Sequence, residues 1–416
     1  MDDLIIIGAG WAGMFAAALA VATADTQNKL LRIRVIAQGI GQMVVTPSWI
    51  SVWDSAQGDL EHDLRGLTVI APEHPYALAG VESLVNAIDF FEEFSGETLG
   101  LSYLGHAPKL ANFAIATALG TVQHPAVVPL GYRSSTADAL FIGFEGWRDY
   151  YPNLSGSNTA TIKLPVDRAW DATPTDLARQ FDKPEFRQAV IDLVKPRLNG
   201  AKAIGFPAVL GLDYNGFAND YWGEAFGVPV FEIPTLPPSV PGTRLFNALR
   251  RYLLDLGVRV QIGHPVTRGI IEQGRAVGVE VAAAGKSTRF DAKAIILATG
   301  GLYGGGLFSD DRGAIWEPIF GLPVQYDPDR TRWFNENLLD PRGHPIHYVG
   351  VRVNDQMQPL GSSGSPFAEG LYAAGQLLAH PNVEGAPLPT ETTEGVALAT
   401  AYKAVICALQ TLSITT

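Results

Sequence analysis

Leu4-Ile5-Ile6-Ile7-Gly8-Ala9-Gly10-Trp11-Ala12-Gly13 is the stretch of sequence that decides the fold. Its four aliphatic residues are typical of a buried strand, and the Ala-rich run from Met14 to Ala24 is typical of a helix. A second aliphatic run, Leu31 to Ala37, completes a strand-helix-strand unit. The sequence therefore predicts an α/β fold of the Rossmann type.

The glycines between this strand and helix have the spacing G-x-G-x-x-G. Gly8 permits the tight turn, Gly10 lets a phosphate approach the backbone, and Gly13 lets the helix pack closely on the strand. An anion at this turn meets N–H groups and the positive end of the helix dipole. A purely structural glycine turn is the alternative. We predict that a cofactor phosphate binds at Gly8, Ala9, Gly10, Trp11, Ala12 and Gly13.

Composition and charge narrow the class of protein. The chain has 416 residues, 47% of them hydrophobic, and its 42 acidic and 30 basic side chains give a net charge of −12. This excludes a disordered chain and disfavours nucleic acid and anionic membranes as partners. The longest apolar run near the N-terminus, Ala12 to Ala24, is too short to cross a bilayer. We therefore expect a cytoplasmic protein.

Cys407 is the single cysteine of the chain. One thiol cannot form an internal disulfide, a Cys-rich zinc site or a four-thiolate iron–sulfur cluster, and we expect no metal site. If this protein transfers electrons, an organic cofactor must carry them.

Two later segments favour a flavin as that cofactor. Ile295 to Gly301 reads as a strand running into a small-residue turn, and Gly370 to Gln376 as a strand that reaches the ribityl chain of a flavin. A helix that begins near Thr393 would direct its dipole at the flavin ring. The sequence thus predicts a Rossmann-type two-dinucleotide-binding flavoprotein fold. These segments add the predicted flavin-binding residues Ala298, Thr299, Gly300, Gly375, Gln376, Gly395 and Val396.

Two glutamines stand where such a fold usually has acids. The second strand ends Ala37-Gln38, where a carboxylate would hold the ribose of a dinucleotide, and Gln376 replaces a second acid. We assign Ala37, Gln38 and Gln42 to the cofactor site. The missing acids favour the mononucleotide FMN, with FAD as the alternative if an acid comes from elsewhere in the fold.

Composition and pattern also divide the chain into segments. We predict a discontinuous flavin-binding domain of residues 1–74, 235–311 and 366–416. Residues 75–234 read as an inserted α/β cap domain, and residues 312–365 as a loop-rich segment over the flavin site.

Several motifs together resemble a known family. They are GAGWAG (8–13), IAQGIGQ (36–42), HPYALAG (74–80), PTLPPSVPGTRL (234–245), ATGGLYGGGL (298–307) and EPIFGLPV (317–324). In this combination the chain resembles the B-type subunit of anaerobic glycerol-3-phosphate dehydrogenase, from the N-terminus to about Lys403 and thinly in the insertion. The resemblance implies a flavin-bearing subunit, with FMN favoured, of a complex that oxidises sn-glycerol 3-phosphate to dihydroxyacetone phosphate and passes electrons toward quinone.

The resemblance also implies partners. They are a larger FAD-containing dehydrogenase subunit and an iron–sulfur membrane-anchor subunit, which would hold this chain at the inner face of the cell membrane. Two other functions stay open. One is a stand-alone FAD oxidoreductase of the fumarate-reductase-like group, and the other is a flavin-free structural subunit of such a complex.

Four polar residues are candidates for catalysis. His344 and His347 lie in the segments that flank the flavin motifs and are candidate bases. Arg244 and Arg312 are candidate clamps for a phosphate group, because a guanidinium can bind two oxygens at once. Loop histidines held by the backbone, and arginines in structural ion pairs, are the alternatives.

Overall fold

The computed structural model describes residues 1–26, 29–56, 58–105, 110–133, 138–167, 169–213, 216–217, 220–283 and 285–412. Helices in this part of the chain are α1 Trp11–Thr26, α2 Leu60–Ile70, α3 Pro75–Ala79, α4 Val81–Glu97, α5 Pro174–Phe181, α6 Pro184–Val194, α7 Tyr221–Phe226, α8 Val240–Asp255 and α9 Thr393–Thr411. Strands are β1 Asp2–Ile7, β2 Ile33–Ala37, β3 Tyr103–Leu104, β4 Ile115–Ala116, β5 Val122–Gln123, β6 Val128–Pro129, β7 Ala139–Phe144, β8 Thr159–Ile162, β9 Ala203–Pro207, β10 Val230–Ile233, β11 Arg259–Ile262, β12 Val266–Glu272, β13 Arg275–Ala283, β14 Lys286–Leu297, β15 Phe308–Ser309, β16 Ile315–Trp316, β17 Val324–Gln325, β18 Gly350–Val351 and β19 Leu371–Ala373.

The chain divides into two compact units. The first comprises Met1–Gln42, Ser51–Phe90 and Leu249–Thr416, and the second comprises Met43–Ile50 and Phe91–Ala248. Among the described residues, no helix is both long enough and apolar enough to traverse a lipid bilayer.

The first unit is built on a mainly parallel sheet with β1 at its centre. The strand order is β11-β2-β1-β14, and β19 also pairs in parallel with β14. The first half of β14 instead pairs antiparallel with β13, and β12 continues this ribbon. β1 is buried along its whole length, as a central parallel strand requires. The predicted strand-helix-strand unit and α/β fold are confirmed.

Helices α1 and α9 pack against each other beside this sheet. Small side chains of α1 let the two helices approach, since Ala16, Ala17 and Ala20 are completely buried. This explains why α1 has no polar face: it is covered on all sides over most of its length.

The second unit has its own parallel sheet, with strand order β10-β9-β7-β8. Its core is aromatic, and Phe181, Phe206 and Trp222 are almost fully buried. Helices α5, α6 and α7 contribute to that core. The α/β character predicted for the insertion is therefore found here.

The limits of the second unit differ from the predicted insertion at residues 75–234. Pro75 begins a short helix at its first position, and the Tyr76 hydroxyl donates to the Val52 carbonyl oxygen at 2.8 Å. Helix α3 also packs against α9, and residues 75–90 belong to the first unit. Residues 43–50 and 235–248 lie in the second unit instead, and residues 312–365 form part of the first.

Candidate functional site

A cavity of about 660 Å³ opens at the carboxyl ends of the parallel strands of the first unit. Its lining follows β2, β1, β14 and β19, with the β11–β12 connection at one side. Parallel α/β sheets bind ligands at this edge. The ligand lies in the crevice at the point where the strand order reverses. The predicted residues that line it are Gly8, Ala9, Gly10, Trp11, Ala12, Ala37, Gln38, Gln42, Ala298, Thr299, Gly300, Gly375 and Gln376.

The glycine turn after β1 is packed as its spacing predicts. Gly8 has φ 120°, and a Cβ there would overlap the Ala298 carbonyl oxygen. A Cβ on Gly13 would overlap the Gly8 carbonyl oxygen, so Gly13 lies under the turn and not in the cavity lining. A Cβ on Gly10 would meet only the Gly41 Cα, at 4.0 Å. The backbone at Gly10 is therefore open to a group in the cavity.

The loop after β2 forms one side of the cavity. Ala37, Gln38 and Gln42 line it. Gly41, whose φ is 69°, packs its backbone against the glycine turn. A Cβ on Gly41 would lie 2.6 Å from the Gly10 Cα. The segment Pro265 to Thr267 completes this side.

The ends of β14 and β19 form the other side. The Gly375 N–H donates to the Thr400 Oγ1 at 2.9 Å, and Gly375 has φ 75°. The Thr299 Oγ1 is buried and has no hydrogen-bond partner among the described residues. A buried hydroxyl without a partner costs free energy, so this side of the cavity presents an unsatisfied polar group.

Helix α9 meets the cavity through a different face from the one predicted. Thr393 and Ala397, one turn apart, line the cavity, whereas Gly395 and Val396 do not. The Gly395 N–H donates to the Ser51 carbonyl oxygen at 2.9 Å, and a Cβ there would overlap the Tyr76 hydroxyl. Gly395 therefore serves helix packing, and its amide is already used within the protein.

Three acidic residues, Asp54, Glu391 and the buried Glu394, lie near the start of α9. Burial raises the pKa of the Glu394 carboxyl to about 8, and the nearby Asp54 charge adds to this shift. Burial likewise raises the pKa of Asp54 to about 6, with a contribution from Glu391. Burial therefore favours the protonated form of Glu394.

The two histidines predicted as bases have different surroundings. The Asn335 N–H donates to the His344 Nδ1 at 3.0 Å, so the proton of His344 is on Nε2, which donates to the Leu338 carbonyl oxygen at 2.9 Å. Backbone groups thus engage both ring nitrogens, and His344 stabilises its loop. His347 instead lies with its Nε2 3.3 Å from the Tyr303 hydroxyl oxygen, and Tyr303 lines the cavity.

The two predicted arginine clamps lie outside the cavity lining. Arg312 is exposed, and its backbone N–H donates to Asp310 Oδ1 at 3.0 Å. Arg244 belongs to the second unit and is 9% exposed. Its guanidinium makes a bidentate pair with Glu232, at 2.7 and 2.8 Å, and donates to the Gly211 carbonyl oxygen at 2.6 Å. This is the geometry of a structural ion pair.

Comparison with known proteins assigns the family. The family model described as FAD binding domain matches residues 3–319 and 178–386. A Halobacterium salinarum protein, named as a probable B-type subunit of anaerobic glycerol-3-phosphate dehydrogenase, is 30% identical over 430 residues, which cover 97% of this chain and 96% of the relative. The chain belongs to this B-type subunit family and to the FAD binding domain family.

Relatives from other organisms carry the same name. Proteins named as the B-type subunit of anaerobic glycerol-3-phosphate dehydrogenase are 30% identical in Pectobacterium atrosepticum, over 74% of this chain and 76% of the relative, and 26% identical in Vibrio cholerae, over 97% and 95%. Among solved structures, 3-ketosteroid Δ1-dehydrogenase from Sterolibacterium denitrificans superposes with a TM-score of 0.48 at 12% identity, covering 98% of this chain and 99% of that one.

The cavity of this family member fits a flavin. The backbone at Gly10 is open to a phosphate, and the Thr299 hydroxyl lacks the partner that a polar flavin group would supply. A flavin is therefore the cofactor class of this chain, in agreement with the prediction from sequence.

Some lining residues of the site were missed by sequence reasoning. They are Pro265, Val266, Thr267, Tyr303, Phe308, Pro318 and Ile319. Tyr303 lies inside the ATGGLYGGGL segment that carried the family resemblance, and this was the available signal for it. The others lie in loops or at strand ends, where periodicity gives no position.

Proposed function

We propose that this chain is the flavin-bearing B-type subunit of a quinone-linked anaerobic glycerol-3-phosphate dehydrogenase. The observation that carries the proposal is the cavity at the strand ends, found in a chain that matches relatives of this name over almost its full length. A flavin bound there supplies an acceptor for hydride. The reaction is the oxidation of sn-glycerol 3-phosphate to dihydroxyacetone phosphate.

We further propose that the flavin is FAD and not the FMN favoured by the two glutamines. The lining extends across the ends of β2, β1, β14 and β19 and continues beyond β2 to Pro265, Val266 and Thr267. Four parallel strands at about 4.8 Å spacing span roughly 14 Å, and the segment beyond β2 lengthens the cavity further. A mononucleotide with its phosphate at Gly10 would fill one side of the turn only. The other side, at Gln38, Gln42 and Pro265 to Thr267, suits an adenosine.

In this proposal each part of the cavity has its own role. The glycine turn and the start of α1 hold the diphosphate, Gln38 holds a ribose hydroxyl as a neutral hydrogen-bonding group, and Thr299 and Gln376 contact the flavin half. Because Cys407 is the only cysteine, electrons leave through another redox group. The proposed partners are a larger FAD-containing subunit and an iron–sulfur membrane-anchor subunit, which would bring this chain to the inner face of the membrane.

Release of the cofactor by acid, followed by chromatography, tests the proposal on the purified protein. FAD is the expected product, and FMN would favour the mononucleotide. Anaerobic addition of glycerol 3-phosphate should then bleach the flavin absorbance and form dihydroxyacetone phosphate. A protein that binds no flavin supports the structural role. A protein whose FAD is reduced only by other substrates supports the stand-alone oxidoreductase.

A further inference from the structure

Tyr303 and His347 form a pair at the wall of the cavity. Tyr303 lines the cavity and is 73% exposed, and its hydroxyl oxygen lies 3.3 Å from the His347 Nε2. The ring centroids are 6.1 Å apart. His347 itself is not among the lining residues, so it reaches the cavity through the tyrosine. Catalytic hydrogen bonds are often this long before substrate binds.

The backbone around Tyr303 places it on the side of the cavity formed by β14 and β19. The neighbouring Gly301 packs so closely that a Cβ there would lie 2.8 Å from the Gln376 carbonyl oxygen. Gln376 and Thr299 line the same side. Tyr303 therefore lies on the side of the cavity where, under the proposed function, the flavin half of the cofactor binds.

Contacts with His344 restrain the position of His347. Its backbone N–H donates to the His344 carbonyl oxygen at 2.9 Å, and the two rings meet edge to face with centroids 5.6 Å apart. His344 is held by backbone groups at both ring nitrogens. The His347 ring therefore packs against the restrained His344 ring, and its Nε2 lies next to the Tyr303 hydroxyl.

The surroundings of His347 favour its unprotonated form. Burial lowers the pKa of His347 below its ordinary value, and His344 adds to the effect. Tyr303 and His344 face its ring, and the segment Pro389–Glu391 packs against Pro345–Tyr348, where burial, with a contribution from Glu391, raises the pKa of Tyr348. An unprotonated Nε2 can accept a proton from the Tyr303 hydroxyl.

We infer that Tyr303 is the catalytic residue that accepts the hydroxyl proton of the substrate, with His347 as the positioning residue that accepts the proton of Tyr303. This inference rests on the proposed function. The O–H bond of the secondary alcohol breaks, and its proton moves to the Tyr303 oxygen while the Tyr303 proton moves to the His347 Nε2. The hydrogen on the same carbon leaves with its electron pair to the flavin. The alcohol thereby loses two electrons and becomes a ketone, the flavin gains them, and one proton remains on His347.

The pair can be tested without substrate by nitrogen NMR of labelled histidine, with His347→Gln used to assign the signal. In the wild type we expect the Tyr303 hydroxyl to donate to Nε2, which stabilises the neutral ring. In Tyr303→Phe the pKa of His347 should rise, and the Nε2 chemical shift should lose the signature of an accepted hydrogen bond. Tyr151→Phe, at a tyrosine that is 55% exposed in the second unit, is the matched control and should leave the signal unchanged.

The catalytic role is tested by rapid anaerobic reduction of the bound flavin by glycerol 3-phosphate. Tyr303→Phe should slow reduction about 10²- to 10⁴-fold, the usual contribution of a general acid or base, while flavin content stays as in wild type. His347→Gln should slow it less, remove the rise of the rate with pH, and recover on addition of imidazole. Tyr151→Phe should keep the wild-type rate.

The outcomes separate the two proposals. A His347 titration that is the same in Tyr303→Phe and wild type overturns this inference, whatever the substrate is. Wild-type reduction rates in Tyr303→Phe also overturn it. If wild-type protein binds no flavin, or is not reduced by glycerol 3-phosphate, the proposed function fails, and the titration then decides whether the pair exists.

Discussion

Gly8 and Ala298 hold the turn after β1 and the end of β14 in direct backbone contact. No Cβ fits between them, because at Gly8 it would overlap the Ala298 carbonyl oxygen. The parallel pairing of Ile7 with Leu297 brings the two strand ends to this point. The floor of the cavity is thus made by two glycine-rich turns that touch without intervening side chains.

Gly10 offers a test of the phosphate position. Gly10→Asp should abolish flavin retention, since its carboxylate would occupy the open space at the turn and repel the phosphate. Gly10→Ala should weaken binding less. Both variants should keep a melting temperature near that of the wild-type apoprotein, because a Cβ there meets only the Gly41 Cα at 4.0 Å.

Gly66→Asp is the matched control for Gly10→Asp. Gly66 lies on the exposed face of α2, and a Cβ there would meet nothing within 4 Å. It should retain the flavin, as measured by absorbance after gel filtration. Full occupancy in Gly10→Asp would show that the phosphate binds elsewhere.

Thr299→Val tests the unsatisfied hydroxyl. Valine has nearly the same shape, so the apoprotein should be as stable as wild type or more so, because a buried hydroxyl without a partner is removed. Flavin affinity should fall about tenfold, the value of about one hydrogen bond. Melting curves of the apoprotein and flavin titration measure the two effects.

Thr400→Val should show the opposite pattern in the apoprotein. The Thr400 Oγ1 accepts from the Gly375 N–H at 2.9 Å and donates to the Val396 carbonyl oxygen at 2.5 Å, so its loss should lower stability. If Thr299→Val instead destabilises the apoprotein while flavin affinity stays unchanged, Thr299 does not contact the cofactor.

Arg244 should govern stability and not substrate affinity. Arg244→Met leaves the Glu232 carboxylate buried without its partner, and loss of one member of such a pair costs about 3–5 kcal/mol. Adding Glu232→Gln should restore much of this loss, because the amide oxygen can still accept from the Leu210 N–H, which now donates at 3.0 Å.

Urea denaturation measures the free energy of unfolding of these variants. Lys202→Met is the control, since it breaks an exposed pair with Asp138 and should have little effect. If Arg244→Met is folded and stable but has a greatly raised KM for glycerol 3-phosphate, then Arg244 binds the substrate phosphate.

Glu394 should make stability depend on pH. Its pKa is about 8 in the folded protein and near 4.5 when unfolded, so the folded state binds more protons between these values. Stability should therefore fall as pH rises from about 5 to 8, by an amount on the order of a few kcal/mol. Asp54, with a folded pKa of about 6, should add to the lower part of this range.

Glu394→Gln should flatten that slope and raise stability at pH 8, because the amide resembles the protonated carboxyl. Glu185→Gln, at an exposed position of α6, should keep the wild-type slope. Melting temperatures measured from pH 5 to 9 compare the three proteins. An unchanged slope in Glu394→Gln would mean that the carboxyl is ionised in the folded state.

The part of the site that sequence predicts well is the part built from local backbone geometry. The glycine turn after β1, the loop after β2 and the small-residue turn after β14 each follow a strand. Their glycines are required by the backbone conformation or by close packing, and the glycine spacing in the sequence indicates this requirement. The same holds for the α/β fold, because aliphatic runs and an Ala-rich helix determine it directly.

The parts that sequence predicts poorly depend on contacts between distant segments. Gly395 was expected at the flavin, but the Ser51 carbonyl oxygen takes its amide and Tyr76 fills the space beside it. Arg244 was expected to bind a phosphate, but the fold brings Glu232 and the Gly211 carbonyl oxygen to it. Neither partner is indicated by local pattern, since each requires the tertiary structure.

The parallel pairing of β1 with β14 and of β14 with β19 has a consequence for biosynthesis. Leu4 pairs opposite Ala294, and Leu297 pairs opposite Ala373. β2 lies close to β1 along the chain, whereas β14 and β19 follow only at residues 286–297 and 371–373, after the segments of the second unit. The side of the cavity formed by Ala298 to Gly300 and Ala374 to Gln376 therefore cannot be complete before residue 376 is synthesised, so the flavin half of the proposed site is among the last parts of this protein to form.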